Sequence, residues 1–255
     1  MSHHLVEVKD LKYHYPDGTA ALQGVSFLLT HGEAVAIIGA NGAGKSTLLL
    51  HLNGCLMPQA GEVRIGGLPL NKNTLSHVRR TVGMVFQDPD DQLFMPIVYD
   101  DVAFGPLNLG LPPAEVDQLV KDSLARVGAS HLQDRPPYRL SGGEKRAVAI
   151  ASVLAMSPDI LVMDEPSAAL DPKTRRQLIE LLKTFKHTRI IATHDLDLVL
   201  DLCSRTIILK DGQVAADGPT LDILQNEELL ASSSLEKPLR LQGCPVCRAK
   251  SGSAD

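Results

Sequence analysis

The chain has 255 residues, 44% hydrophobic and 22% charged, with a formal net charge of −5. Those proportions allow one globular domain with a sizeable core and at most a small appendage. A mildly acidic chain without a long basic run is a poor binder of nucleic-acid phosphates, and 4% aromatic residues with no Trp argue against a base-stacking or carbohydrate-stacking surface.

The opening residues, MSHHLVEVKD, carry neither the basic segment nor the apolar stretch of a signal peptide. No apolar run approaches the roughly 18 residues that a membrane-spanning helix needs. The expectation is a cytoplasmic chain that reaches a membrane only through partners.

Along the chain, residues 5–11 and 25–29 alternate like half-exposed strands. Residues 34–39 form a short, wholly apolar run ending in Gly, the pattern of a buried parallel strand, and 44–52 then read as a helix. Strands are expected at 62–65 and 82–86. Residues 100–139 carry helical periodicity broken by Pro106 and Gly110, with Pro112-Pro113 opening a helix that stops near Gly128.

Further on, 141–156 read as a helix, 159–163 as a buried strand, 171–185 as a helix, 189–193 as a strand and 195–202 as a short helix. Asp211-Gly212 is a hairpin signal between strands at 206–210 and 213–216. From about 232 the sequence is rich in Ser, Lys, Gly and Pro without periodicity. We expect a domain over 1–228, with a helical subdomain inserted at about 88–156, and a flexible tail over 229–255; deleting residues 232–255 is expected to leave ATPase activity intact.

Alternating strands and helices imply an α/β domain with a mostly parallel sheet. Of the four cysteines, Cys55 and Cys203 lie in apolar, helical-looking surroundings and are expected to be buried free thiols. Cys244 and Cys247 form a lone C-x-x-C, half of a zinc site at most.

Residues 39–47, GANGAGKST, fit G-x-x-x-x-G-K-[ST]. The glycines Gly39, Gly42 and Gly44, with Asn41 between them, let backbone N–H groups wrap phosphates, and the following helix adds its positive end. Lys45 supplies a charge to the outer phosphates, Ser46 can ligate Mg²⁺, and Thr47 completes the motif. An apolar strand before it and a helix after it supply the required context. The motif implies nucleoside triphosphate binding and leaves kinase, GTPase and transport ATPase open.

Residues 160–165, ILVMDE, are an apolar strand ending in two acids. Asp164 suits a contact to Mg²⁺, and Glu165, pointing differently, can orient or deprotonate an attacking water. Ser141, Gly142 and Gly143 in LSGGE form a second helix start with exposed N–H groups.

Taken together these motifs resemble the ABC ATPases. LSGGE is similar to the family signature LSGGQ, with Glu144 in place of Gln. Gln87 matches the Q-loop glutamine, a Mg²⁺ contact that senses the membrane partner, and SAALD, 167–171, resembles the D-loop, with Ala169 where Gly is common. His194 in ATHD matches the switch histidine. Tyr15 best matches the aromatic that stacks on adenine, with Tyr13 as the alternative. The resemblance covers about residues 3–225.

It implies a P-loop (RecA-like) mostly parallel sheet core with an antiparallel β subdomain and a helical insert. It further implies ATP hydrolysis with Mg²⁺ and a homodimer in which the phosphate loop of one subunit meets the signature of the other. Residues 85–94, VFQDPDDQLF, resemble the energy-coupling factor importers, most closely their cobalt/nickel ATPases. The implied partners are a transmembrane coupling subunit, contacted by residues of about 88–105, and a cargo-binding membrane subunit, at the cytoplasmic face of the membrane. The alternatives are a vitamin importer or a soluble ABC ATPase of DNA metabolism.

Overall fold

A computed structural model describes residues 4–242. Cys244 and Cys247 lie outside the described residues. The order of elements places two sheets and a helical group around three apolar cores.

The first sheet is antiparallel. Strand β1 (His4–His14) pairs with β2 (Ala20–Thr30) on one side and with β4 (Ala60–Ile65) on the other, and β5 (Leu68–Pro69) closes the far edge. Its inward residues alternate along the strands: Val6, Val8 and Leu11 of β1, then Leu22, Val25, Phe27 and Leu29 of β2, all buried.

The second sheet holds β3 (Ala34–Ile38), β6 (Val82–Val85), β7 (Ile160–Asp164), β8 (Thr188–Ala192), β9 (Arg205–Lys210) and β10 (Gln213–Pro219). Its order is β10-β9-β3-β8-β7-β6, parallel throughout except for the hairpin strand β10. Both faces of this sheet are covered, so its central strands read as continuous apolar runs. The period of two still divides them. Val35 and Ile37, Ile160 and Val162, and Ile190 and Ala192 join the core toward the antiparallel sheet. Ala36, Ile38, Leu161, Met163 and Ile191 join the core on the opposite face.

Helix α1 (Lys45–Leu52) follows β3, and a short α2 (Leu75–Thr81), absent from the sequence expectations, precedes β6. α3 (Val98–Asn108), α4 (Pro113–Arg126) and α5 (Gly142–Leu154) pack around a separate third core of Val98, Val102, Val116, Val120, Leu124 and Val148. Pro106 sits within the last turn of α3 rather than ending it. α6 (Pro172–Thr184), α7 (Leu196–Leu202), α8 (Thr220–Gln225) and α9 (Glu227–Ser232) complete the second core.

Two expectations are corrected. The region 229–242 is packed chain rather than a flexible tail. α9 crosses the expected boundary at 228, Leu230 is buried, and Leu235 and Leu241 rest on the second core. Polar composition hid three apolar anchors spaced widely enough to escape periodicity. Cys203 is buried, but Cys55 is exposed, because it lies in the turn beyond α1 and not within the helix.

Candidate functional site

Parallel strands place their carboxyl ends along one edge, and ligands of such sheets sit there. Gly39 follows β3, Gln87 follows β6, Asp164 ends β7, and His194 follows β8. These ends open into one cleft of about 740 Å³, lined by Tyr15, Gly39, Asn41, Gly42, Gly44, Lys45, Ser46, Thr47, Gln87, Asp164, Glu165 and His194 among others.

The loop geometry explains its glycines. Gly39 and Gly44 have φ of 155° and 102°. A Cβ on Gly39 would lie 2.2 Å from Leu209 O, and one on Gly44 2.5 Å from Ala21 O. Backbone packs so closely there that no side chain fits. Lys45 is buried, and its Nζ donates to Gly39 O (2.8 Å) and Ala40 O (3.1 Å), so its charge is held over the loop. With α1 beginning at Lys45, the loop presents N–H groups, a helix start and a cation to one point, a polyanion cradle. Of the two candidate tyrosines only Tyr15 lines the cleft, its hydroxyl 3.0 Å from Thr47 Oγ1, while Tyr13 packs edge-on against His51.

The two acids differ in surroundings. Asp164 is 4% exposed and its Oδ1 has no hydrogen-bond partner among protein groups. Burial raises its pKa above the ordinary carboxylate value and the charge of Glu165 adds to this, against the lowering effects of the Ser46 hydroxyl, Lys45 and Arg146. An orphaned carboxylate oxygen on an acid that contacts the Ser46 hydroxyl, in a cleft that Gln87 also lines, offers hard oxygen donors, which fits Mg²⁺.

Glu165 turns the other way because its backbone is left-handed, φ 46°. Its Oε2 accepts from Thr193 Oγ1 (2.9 Å) and the His194 N–H (3.3 Å), and its Oε1 lies 2.9 Å from His194 Nδ1. Thr193 thus orients the acid, a contact the sequence analysis missed. The His194 side chain is 68% exposed at the rim. Strain of this kind in a side-chain-bearing residue is characteristic of functional sites.

Two further residues hold this arrangement and carried no sequence signal. Arg146 reaches from α5 to donate to Phe86 O (2.6 Å) and Gln87 O, fixing the backbone of Gln87. Asp195 caps α7 through the Leu198 N–H (2.9 Å). It also accepts a fork from Arg175 at 2.7 and 2.9 Å and a bond from Ser167 Oγ at 3.1 Å. Residues 167–171 are therefore tied to the turn that carries His194. Within them Ala169 adopts φ 58°, the conformation that glycine reaches without strain.

Ser141, Gly142 and Gly143 do not line this cleft. Ser141 caps α5 in a full capping box: its Oγ accepts from Glu144 N–H (3.4 Å), and Glu144 Oε2 accepts from Ser141 N–H and Oγ (both 2.8 Å). The Ser141 N–H and hydroxyl hold the Glu144 carboxyl below its ordinary pKa. The structure thus makes two separate helix starts, one inside the cleft and one outside it.

Comparison with known proteins supplies the rest. The ABC transporter family profile matches residues 22–168. A putative ABC transporter ATP-binding protein of Geobacter sulfurreducens is 69% identical over 247 residues, covering 97% of this chain and 99% of that one. The energy-coupling factor transporter ATP-binding protein EcfA of Methanothermobacter thermautotrophicus is 49% identical over 239 residues, covering 92% of this chain and 77% of the relative. Among solved structures, cbiO1 of Clostridium perfringens, part of the ABC transporter complex cbiONQ, superposes with TM-score 0.80 at 38% identity over 98% of this chain and 99% of that one. The ATP-binding cassette MJ0796, a dimer in a post-hydrolysis state bound to ADP and Pi, superposes with TM-score 0.77 at 30% identity over 84% and 98%.

Proposed function

The chain belongs to the ABC transporter ATP-binding family, as an ATP-hydrolysing subunit of the energy-coupling factor type, and from that premise we propose that it works as a homodimer powering a metal-ion importer. The observation that carries the dimer is the separation of the two anion-facing sites. The cleft around Lys45 does not include Ser141–Gly143, so a triphosphate gripped by both needs two chains. A polyanion between two helix starts holds the subunits together, and cleavage of the outer phosphate weakens that hold. The dimeric cassette bound to ADP and Pi is consistent with this scheme.

Within each site, Gly39, Asn41, Gly42, Gly44, Lys45 and Thr47 bind the phosphates and Tyr15 stacks on the base. Ser46, Gln87 and Asp164 would hold Mg²⁺, which supplies charge neutralisation at the β- and γ-phosphates. Glu165 accepts a proton from the attacking water, held for that task by Thr193 and His194. His194, at the rim, contacts the outer phosphate.

The membrane partner docks where residues 88–105 leave apolar surface. Phe94 is 64% exposed, and its ring meets Phe104 edge-on at 5.0 Å. An exposed aromatic pair that begins seven residues after Gln87 in the chain suits a helix end inserted by a transmembrane subunit. Among the described residues no helix is long and apolar enough to cross a membrane, in keeping with peripheral attachment at the cytoplasmic face. The cargo assignment, cobalt or nickel ions, rests on the likeness to cbiO1 and on residues 85–94. A vitamin importer is the second reading, since the 49% identity to an energy-coupling factor ATP-binding protein supports the class and names no cargo.

Complementation tests the composite site. Lys45→Ala spoils the cleft and Ser141→Arg spoils the second helix start. Each variant alone is inactive, but mixing them yields heterodimers with one intact site and restores hydrolysis. A mixture that stays inactive while both variants fold rejects the two-chain site. Copurification with membrane subunits, followed by radiolabelled Co²⁺ or Ni²⁺ uptake into vesicles, tests the cargo.

A further inference from the structure

Residues 233–242 belong to none of the motifs above, yet two of them, Ser234 and Leu235, reach the cleft. α9 ends in a Schellman motif: Leu235 N–H donates to Leu230 O at 2.8 Å and Ser234 N–H to Ala231 O at 3.1 Å. The motif needs a left-handed residue just past its cap, and Ser234 takes φ 57° there. Glycine fills that position without strain, and a side chain does not. The turn lays Leu235 onto the second core and leaves Ser234 exposed. Both residues line the nucleotide cleft together with Glu165 and His194.

The segment is then fastened to the helix that follows His194. Arg240 Nε donates to Asp197 Oδ1 at 3.1 Å and Nη1 to Asp201 Oδ1 at 3.0 Å, while Nη2 donates to Asp197 O. Asp197 and Asp201 are four residues apart, on one face of α7, whose cap Asp195 adjoins His194. Lys237 Nζ, 3.0 Å from Glu227 Oε1, ties the same segment back to α9. A strained residue held on a ligand cleft by charged clasps at its far end is a built feature of the site.

We propose that Ser234 is a nucleotide-contacting residue and that Arg240 is the positioning residue that keeps it, and α7, in place. The inference rests on the reading of this cleft as the ATP site. The Ser234 hydroxyl donates to an oxygen of the bound triphosphate from the side that carries Glu165 and His194. Arg240 acts only through the segment, since its guanidinium is spent on α7.

The test uses the full chain and four variants: Ser234→Gly, Ser234→Ala, Arg240→Met and Arg240→Lys. Affinity for the non-hydrolysable analogue AMP-PNP with Mg²⁺ is measured by calorimetry, alongside kcat, KM for ATP and the Tm of the nucleotide-free chain. Loss of one hydrogen bond predicts an affinity roughly three- to tenfold weaker for both Ser234 variants. Ser234→Gly should at the same time raise Tm, because it relieves the strained backbone. Arg240→Met should raise KM in the same way and Arg240→Lys should recover part of the loss, which a merely structural role would not do. Wild-type affinity in both Ser234 variants overturns the nucleotide contact, and an Arg240→Met chain with lowered Tm but unchanged KM overturns the positioning role. A wild-type chain that fails to bind AMP-PNP brings down the nucleotide-site reading itself, and the proposal with it.

Discussion

Replacing Glu165 by Gln isolates the proton-accepting role from everything else the residue does. The substitution conserves shape, and the buried site can keep its packing. The amide oxygen still accepts from Thr193 Oγ1 and the His194 N–H, now 2.9 and 3.3 Å from Oε2. The amide NH₂ can face His194 Nδ1, now 2.9 Å from Oε1. What disappears is the negative charge and the basicity. Turnover should therefore fall by about 10²–10⁴-fold, the usual worth of a general base. ATP affinity should hold or tighten, because one carboxylate facing the triphosphate is gone. Phosphate release in a coupled assay gives kcat, and calorimetry gives the affinity. A variant that turns over within about threefold of wild type, with binding intact, refutes the assignment of Glu165 as the base.

Asp164 predicts a trade between stability and activity. Its pKa is raised by burial, so the folded state holds its proton more tightly than the unfolded state. The stability this group provides when protonated is lost as pH rises through the folded pKa, and at neutral pH its charge is a burden on the nucleotide-free chain. Asp164→Asn should raise the nucleotide-free Tm at pH 7.5, by about 2–4 °C for each kcal/mol relieved, while abolishing Mg²⁺-dependent turnover. An unchanged or lower Tm in thermal scans contradicts the account. Burial pushes the Cys203 thiol up to about 12. Iodoacetamide at pH 8 should label Cys55 and spare Cys203 in peptide mass spectra, and equal labelling contradicts the packing around α7. Glu144 is half-buried and its carboxyl engages the Ser141 hydroxyl at 2.8 Å, so it sets a charge beside the proposed phosphate contact. Glu144→Gln should lower the ATP concentration needed to dimerise the Glu165→Gln chain in analytical ultracentrifugation, and a higher requirement rules that repulsion out.

The parts of this site that could be read from sequence are those whose physics is contiguous. A phosphate loop needs glycines where backbone meets backbone, and Gly39 and Gly44 are held to that by Leu209 O and Ala21 O. A buried strand that must deliver an acid reads as an apolar run ending in Asp164. A helix start reads as Ser141 followed by two glycines, while the reciprocal bond from Ser141 N–H to Glu144 that completes the capping box came only with the structure. The contacts that orient these groups are not contiguous. Thr193 lies 28 residues from Glu165, and Arg146 reaches back about 60 residues to Phe86 and Gln87. Each looks like an ordinary polar residue until the fold brings it to its partner.

The same reasoning explains the largest error, the segment 229–242. Its anchors Leu230, Leu235 and Leu241 do not repeat at a helical or strand period, because the Schellman turn and an irregular strap, not one element, present them to the core. Serine at a position that favours glycine gave no turn signal either. Composition therefore argued for a loose tail where packing makes a wall of the cleft. The expectation that the chain can be cut at 232 without consequence reverses: removing Leu235 exposes the second core beside α7, and removing Arg240 leaves Asp197 and Asp201 of that helix without the guanidinium that clasps them. Because α7 begins two residues after His194, which contacts Glu165, a disturbance there reaches those two side chains before it reaches Tyr15. Truncation at 232 should accordingly impair hydrolysis more than it impairs stacking on Tyr15.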